Sequence, residues 1–153
     1  MTKTIIIYFL LSGTTKKAAE AIQKTTGADL VALTPTVAYP QSYDAAVARG
    51  QTELEHHQLP DLQVTWPDLN QYDTVLLGFP TWWQQPPLII EAFLQQAKLT
   101  NQKIIPFTTS VSTPITDSMA VLRQWVQPTL LGTGWRYQAN SSAMTAWLAQ
   151  NKV

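Results

Sequence analysis

Seven apolar residues, Ile5-Ile6-Ile7-Tyr8-Phe9-Leu10-Leu11, run without a polar break and stop abruptly at Ser12-Gly13-Thr14-Thr15-Lys16-Lys17. An unbroken apolar run of this length predicts a strand buried on both faces. Beyond the break, Ala18, Ala21, Ile22 and Thr25 share one helical face, while Lys16, Lys17, Glu20 and Lys24 lie largely elsewhere. A helix over 14–26 is expected, with Gly27 at the position where the chain leaves it. Leu30, Val31 and Leu33 mark a second strand within 28–33, ended by Thr34-Pro35. Strand, helix, strand is a βαβ unit, whose crossover is almost always right-handed.

The alternation continues to the end of the chain. Tyr43, Val47, Gly50 and Leu54 are spaced as a second helix, entered through the turn Tyr39-Pro40-Gln41-Ser42-Tyr43. Residues 59–70, with Pro60, Pro67 and scattered Asp, form a connection. Thr74-Val75-Leu76-Leu77-Gly78-Phe79-Pro80 is a third buried strand, and 88–97, with Ile89, Ile90, Phe93, Leu94 and Ala97 on one side, a third helix. Residues 103–110 form a fourth strand, although Pro106 lacks a ladder donor and fits poorly in a central position. Ser112, Thr113 and Pro114 offer cap and first-turn residues for a fourth helix carrying Met119, Leu122, Trp125 and Val126, which Pro128 should end. A short strand within 129–137 and a final helix from Asn140 or Ser141, with Met144, Trp147 and Leu148, complete the pattern.

Five strands alternating with five helices predict an α/β fold with a doubly wound, five-stranded parallel sheet, in a single domain over residues 1–153. In the order 2-1-3-4-5 the loops after strands one, three and four meet at the carboxyl edge, where such sheets bind ligands. The first loop offers Leu10, Ser12, Gly13, Thr14 and Thr15, whose hydroxyls and N–H groups suit a phosphate at a helix N-terminus. Pro80, Thr81, Trp82, Trp83 and Gln84 make the second. Its tryptophans either cap the core or form an aromatic wall beside a planar ligand, and the local sequence leaves both open. The third loop, Thr108, Thr109, Ser110, Val111, Ser112 and Thr113, is a polar segment suited to the edge of a ring. Together they have the shape of a site for flavin mononucleotide (FMN).

Composition narrows the chemistry. Ten basic and ten acidic residues leave no net field for nucleic acid, and no Lys/Arg cluster marks a membrane surface. The chain has no Cys, so thiolate, disulfide and iron–sulfur chemistry are excluded and redox work must come from a cofactor. Lys3 ahead of the apolar run resembles a secretory leader, but no small-x-small cleavage site follows, and a buried strand in a cytoplasmic protein is the expectation. Glu53, Glu55, His56 and His57 match no zinc-protease spacing and read as a solvated helix end. Gly132 and Gly134 lack the third glycine of a dinucleotide fingerprint and read as a bend. There is no Gly-x-Ser-x-Gly elbow for hydrolase chemistry.

Four segments in order carry a family likeness. Tyr8-Phe9-Leu10-Leu11-Ser12-Gly13-Thr14-Thr15, Tyr39-Pro40-Gln41-Ser42-Tyr43, Phe79-Pro80-Thr81-Trp82-Trp83 and Ile105-Pro106-Phe107-Thr108-Thr109 resemble the flavodoxin family, closest to members with a Pro-x-Trp-Trp loop. The resemblance implies a flavodoxin-like fold, non-covalent FMN at the three loops, and electron transfer to a protein or small acceptor such as a quinone. It also accommodates Pro106. The chain departs from the family pattern at Leu10, where Ser is usual and only a backbone N–H remains, and at Thr14 in place of Asn. Gln84 replaces a Gly, and 110–113 contains no glycine, so close backbone approach is altered in both ring-facing loops. These departures motivate the alternative, a flavodoxin-like binding or regulatory module that has lost FMN.

Residues 74–87 and 108–116 contain no ionisable side chain. With FMN bound, the second reduction step is therefore expected to be less electrostatically depressed than in an acidic flavodoxin. A redox titration giving a widely separated, very negative second couple would contradict this.

Overall fold

The computed structural model describes residues 3–10, 13–110 and 113–153. Five strands form one parallel sheet: β1 (Thr4–Tyr8), β2 (Asp29–Ala32), β5 (Thr74–Pro80), β6 (Lys103–Thr109) and β7 (Trp135–Arg136), in the spatial order β2-β1-β5-β6-β7. Two further two-residue strands, β3 (Thr34–Pro35) and β4 (Leu62–Gln63), pair antiparallel beside the sheet. Without that ribbon the order is the expected 2-1-3-4-5. The ribbon itself was not legible in the sequence, because two-residue strands carry no measurable periodicity.

The helices are α1 (Gly13–Thr26), α2 (Tyr43–Glu55), α3 (Leu88–Ala97), α4 (Ile115–Trp125) and α5 (Ser141–Gln150). Gly27 leaves α1 at φ 71°, a left-handed exit that glycine makes without steric cost. Asn140 caps α5 by accepting a hydrogen bond from the Ala143 N–H at 3.1 Å. Two boundaries differ from expectation. Pro114 is the residue before α4 and caps nothing with its side chain, and α4 ends at Trp125, so Pro128 opens a separate 3₁₀ turn, Pro128–Leu130. The helix stops once Leu122 and Met119 have been buried, before its breaker is reached.

Strand alternation splits the core between the two faces of the sheet. Ile6, Tyr8, Leu76, Ile105 and Phe107 pack with Ala18, Ala19 and Ile22 of α1 and Met144, Trp147 and Leu148 of α5. Ile5, Ile7, Phe9, Val75, Leu77, Phe79 and Ile104 pack on the other side with Ile89, Ile90 and Phe93 of α3 and Met119 and Leu122 of α4. Ile5, Ile6 and Ile7 are fully buried. Each contributes roughly 1.5–3 kcal/mol relative to an exposed position. The apolar run is thus a central structural strand. No helix among the described residues is long and apolar enough to cross a membrane.

Pro106 is accommodated by the weakness of the edge beside it. The carbonyls of Ile104 and Thr108 accept from the N–H groups of Gly132 and Tyr137, both at 2.8 Å, so alternate residues of β6 direct their backbone groups toward β7. Pro106 shares that direction, and its missing donor faces a strand of only two residues, away from the long β5 ladder.

Gly78 has a packing role. A Cβ there would lie 2.2 Å from Cζ of Phe107, itself fully buried. Gly78→Ala is expected to lower unfolding stability by about 1–3 kcal/mol through overpacking, measured as a fall in the urea midpoint at unchanged slope.

Candidate functional site

The carboxyl ends of β1, β5 and β6 are tied into one rim. The Phe9 N–H donates to the Gly78 carbonyl at 3.0 Å, and the Thr81 N–H to the Thr109 carbonyl at 3.1 Å. Two hydroxyl pairs stand on this rim. Thr108 Oγ1 donates to the Phe79 carbonyl at 3.0 Å, so in its contact with Thr81 it is the acceptor and Thr81 the donor. Thr15 and Thr109 share a single bond at 2.8 Å between buried hydroxyls. Two O–H groups and one shared bond leave one hydroxyl proton without a partner among the described residues.

α1 begins at this rim. Its first turn contains no acidic residue, Thr14 is exposed, and fourteen residues of aligned peptide dipole lie behind it. An uncommitted hydroxyl, an exposed hydroxyl and a helix N-terminus free of carboxylates form a donor set that fits a phosphate. Ser12, Val111 and Ser112 lie outside the described residues. Ser110 donates its hydroxyl to the Thr113 carbonyl at 2.6 Å and closes the base of the third loop. Leu10 turns its side chain to the α1 and α5 face, packing with the cluster that contains Tyr8, Trp135 and Tyr137. Its side chain is partly buried there. Tyr8, at the end of β1, has its hydroxyl pKa raised by burial and by the nearby Glu20 charge.

The second loop separates its two tryptophans. Trp82 is partly buried: its ring meets Phe9 edge-on at 5.7 Å between centroids and Tyr39 at 5.7 Å. A Cβ on Gly50 of α2 would lie 2.9 Å from its Cζ3. The space left between α2 and the two tryptophans is about 10 Å³, at the lower limit for one water. Trp83, 41% exposed, is the indole available beside the rim. Capping the core and presenting an aromatic surface are thus divided between neighbours.

The chain reverses tightly here. Trp82 and Gln85 exchange both backbone hydrogen bonds, each at 3.0 Å, around Trp83 at φ 48° and Gln84 at φ 62°. Positive φ at both central residues is the two-residue hairpin pattern that normally recruits Asn-Gly. Gln84 thus holds a left-handed conformation that glycine would occupy freely.

Behind Trp82 lies a group of residues not anticipated from the sequence. Glu53 of α2, only 7% exposed, accepts from the Tyr39 hydroxyl at 2.6 Å and from Arg49 Nε at 3.3 Å. The Arg49 guanidinium lies 3.8 Å from the Tyr39 ring centroid and donates to the carbonyls of Val37 and Ala38 at 2.7 and 2.9 Å. Burial, then the Glu53 hydrogen bond and charge, hold the Tyr39 pKa far above the ordinary tyrosine range, against the opposing Arg49 charge. One signal was available in the sequence. Gly50 inside a helical pattern costs about 1 kcal/mol against Ala and points to close approach by another group. His57, expected at a solvated end, is exposed but reaches the buried Glu91 of α3 with Nε2–Oε1 at 3.0 Å.

The flavodoxin family model matches residues 3–151. The chain belongs to the flavodoxin family. Among solved structures, a candidate flavoprotein from Bacteroides eggerthii DSM 20697 has a TM-score of 0.91 at 27% identity, covering 100% of this chain and 99% of that one. A second, from Bacteroides uniformis ATCC 8492, has a TM-score of 0.86 at 26% identity over 97% and 98% of the two chains. A flavoprotein from Lactobacillus acidophilus NCFM, solved in complex with FMN, shares the fold with a TM-score of 0.80 at 24% identity, over 96% and 99%. A search of curated proteins found no match. In this flavodoxin the left-handed Gln84 is a local cost. Gln84→Gly is expected to raise unfolding stability by about 1 kcal/mol, measured by chemical denaturation, whereas Gln84→Ala should give no such gain.

Proposed function

We propose that this flavodoxin, acting as one domain in the cytoplasm, binds FMN non-covalently and passes electrons to a protein or a small acceptor such as a quinone. The observation that carries the reading is the donor set at the start of α1: no carboxylate in the first turn, an exposed Thr14, and a hydroxyl proton of the Thr15 and Thr109 pair that has no partner among the described residues. Thr14, Thr15 and backbone N–H groups from Gly13 onward would hold the phosphate, with Ser12 beside them in sequence. Pro80, Thr81, Trp83 and Gln84 would border the ring on one side and the 108–113 loop on the other, while Trp82 supports the turn from below. The backbone N–H of Leu10 completes the first loop.

Bound FMN would supply the redox chemistry. The chain's own contribution is to bind, to orient and to exclude water, and no acid or base from 74–87 or 108–116 takes part. That the L. acidophilus protein carries FMN in the same fold is consistent with this reading. The departures at Leu10 and Gln84 weigh less against it than they do in the sequence. The partly buried Leu10 side chain packs against a core cluster, and the turn at Gln84 has a left-handed backbone of the kind glycine favours.

Titrating the FMN-free protein with FMN should quench flavin fluorescence saturably. Absence of binding at micromolar protein would overturn the proposal in favour of a flavodoxin-like module that has lost its cofactor. With FMN bound, NAD(P)H oxidation by the isolated protein would identify a reductase, and its absence a carrier dependent on a partner.

A further inference from the structure

We infer that Glu53, through Tyr39, is a positioning residue for the tryptophan turn, holding Trp82 in place and so fixing the backbone on which Trp83 and Gln84 are presented. Where ligand affinity is concerned the inference rests on the proposed FMN site, but its structural part does not.

The connection is continuous. Glu53 Oε1 fixes the Tyr39 hydroxyl at 2.6 Å, and Oε2 fixes Arg49, which covers the opposite part of the same tyrosine by lying 3.8 Å from its ring centroid. Tyr39 is thereby set against Phe9 at 5.2 Å and Trp82 at 5.7 Å. Gly50, one turn before Glu53 on α2, removes the side chain that would occupy the place of the Trp82 ring. The same helix thus both admits the indole and clamps the residue beside it.

A clamp is needed at this point. Trp83 and Gln84 both hold left-handed backbone without being glycine, and such conformations persist only where the surroundings over-determine them. The two hydrogen bonds between Trp82 and Gln85 close the turn but do not locate it against the rim. Trp82 supplies the location, packed between Phe9 of the β1 end, Tyr39 and α2. No charged residue of the turn itself can do this, because 74–87 contains none. The half-buried Arg49 and the buried Glu53 act on a residue outside the ligand loops, which is what a support for them requires.

Glu53→Ala, Glu53→Gln and Tyr39→Phe separate positioning from folding. Below the unfolding transition, Glu53→Ala and Tyr39→Phe should weaken the near-ultraviolet circular dichroism of the tryptophans and lower FMN affinity by about tenfold, as loss of a supporting contact does at other sites. Glu53→Gln should recover most of both signals, since its amide oxygen still accepts from Tyr39. Unchanged tryptophan dichroism in Tyr39→Phe and Glu53→Ala, with only a lower melting temperature, would overturn the inference. If Glu53→Ala does not fold, the Tyr39→Phe and Glu53→Gln pair decides it. If the unmodified protein does not bind FMN, the function proposal fails while the dichroism comparison still tests the clamp.

Discussion

Everything at the rim depends on the burial of β1 between β2 and β5. Ile5, Ile6 and Ile7 exclude water from both faces of the sheet at its centre, and every backbone group there must be paired. A strand so enclosed bears polar residues at its ends, Lys3 and Thr4 at the amino end and the 12–15 stretch beyond its carboxyl end. Parallel pairing brings the ends of β5 and β6 to the same level. The α1 N-terminus, two hydroxyl pairs and the tryptophan turn then share a small region because β1, β5 and β6 are parallel neighbours.

The tryptophan turn shows how packing and backbone strain are balanced at that edge. Its tight reversal demands left-handed conformations at residues 83 and 84, and neither side chain relieves the cost. Burial of Trp82 against Phe9, Tyr39 and Gly50 offsets it. Trp83 is consequently exposed, because an adjacent residue in the same turn cannot follow Trp82 into the core. Two residues of one type therefore have different physical roles.

The electrostatics are distributed in the same manner. The tryptophan and 108–110 loops bring hydroxyls, indoles and amides to the rim, while Glu53 and Arg49 are paired with each other beneath Trp82 and Lys16 and Lys17 stand in the opening turns of α1. A partly buried pair of this kind adds little net stability, but removing Arg49 would leave the buried Glu53 charge without its cation. A ligand at the rim would meet the helix dipole and oriented hydrogen-bond donors, with Lys16 and Lys17 following in α1.

The sequence alone determined the element order, the parallel sheet and the three loops, because period-two and period-3.6 patterns and continuous apolar runs report burial directly. It also marked Leu10 and Gln84 as departures from a family pattern. Their surroundings came from the tertiary structure: the partly buried Leu10 side chain packs against a core cluster, and Gln84 has left-handed backbone at φ 62°. The division of labour between Trp82 and Trp83 could not be read locally, since identical neighbours differ only in what packs against them. The same holds for the Tyr39, Arg49 and Glu53 group and for the Thr15 and Thr109 pair, the latter 94 residues apart along the chain. Local periodicity records which side of an element is buried; which side chains meet there is decided by how distant elements close on one another.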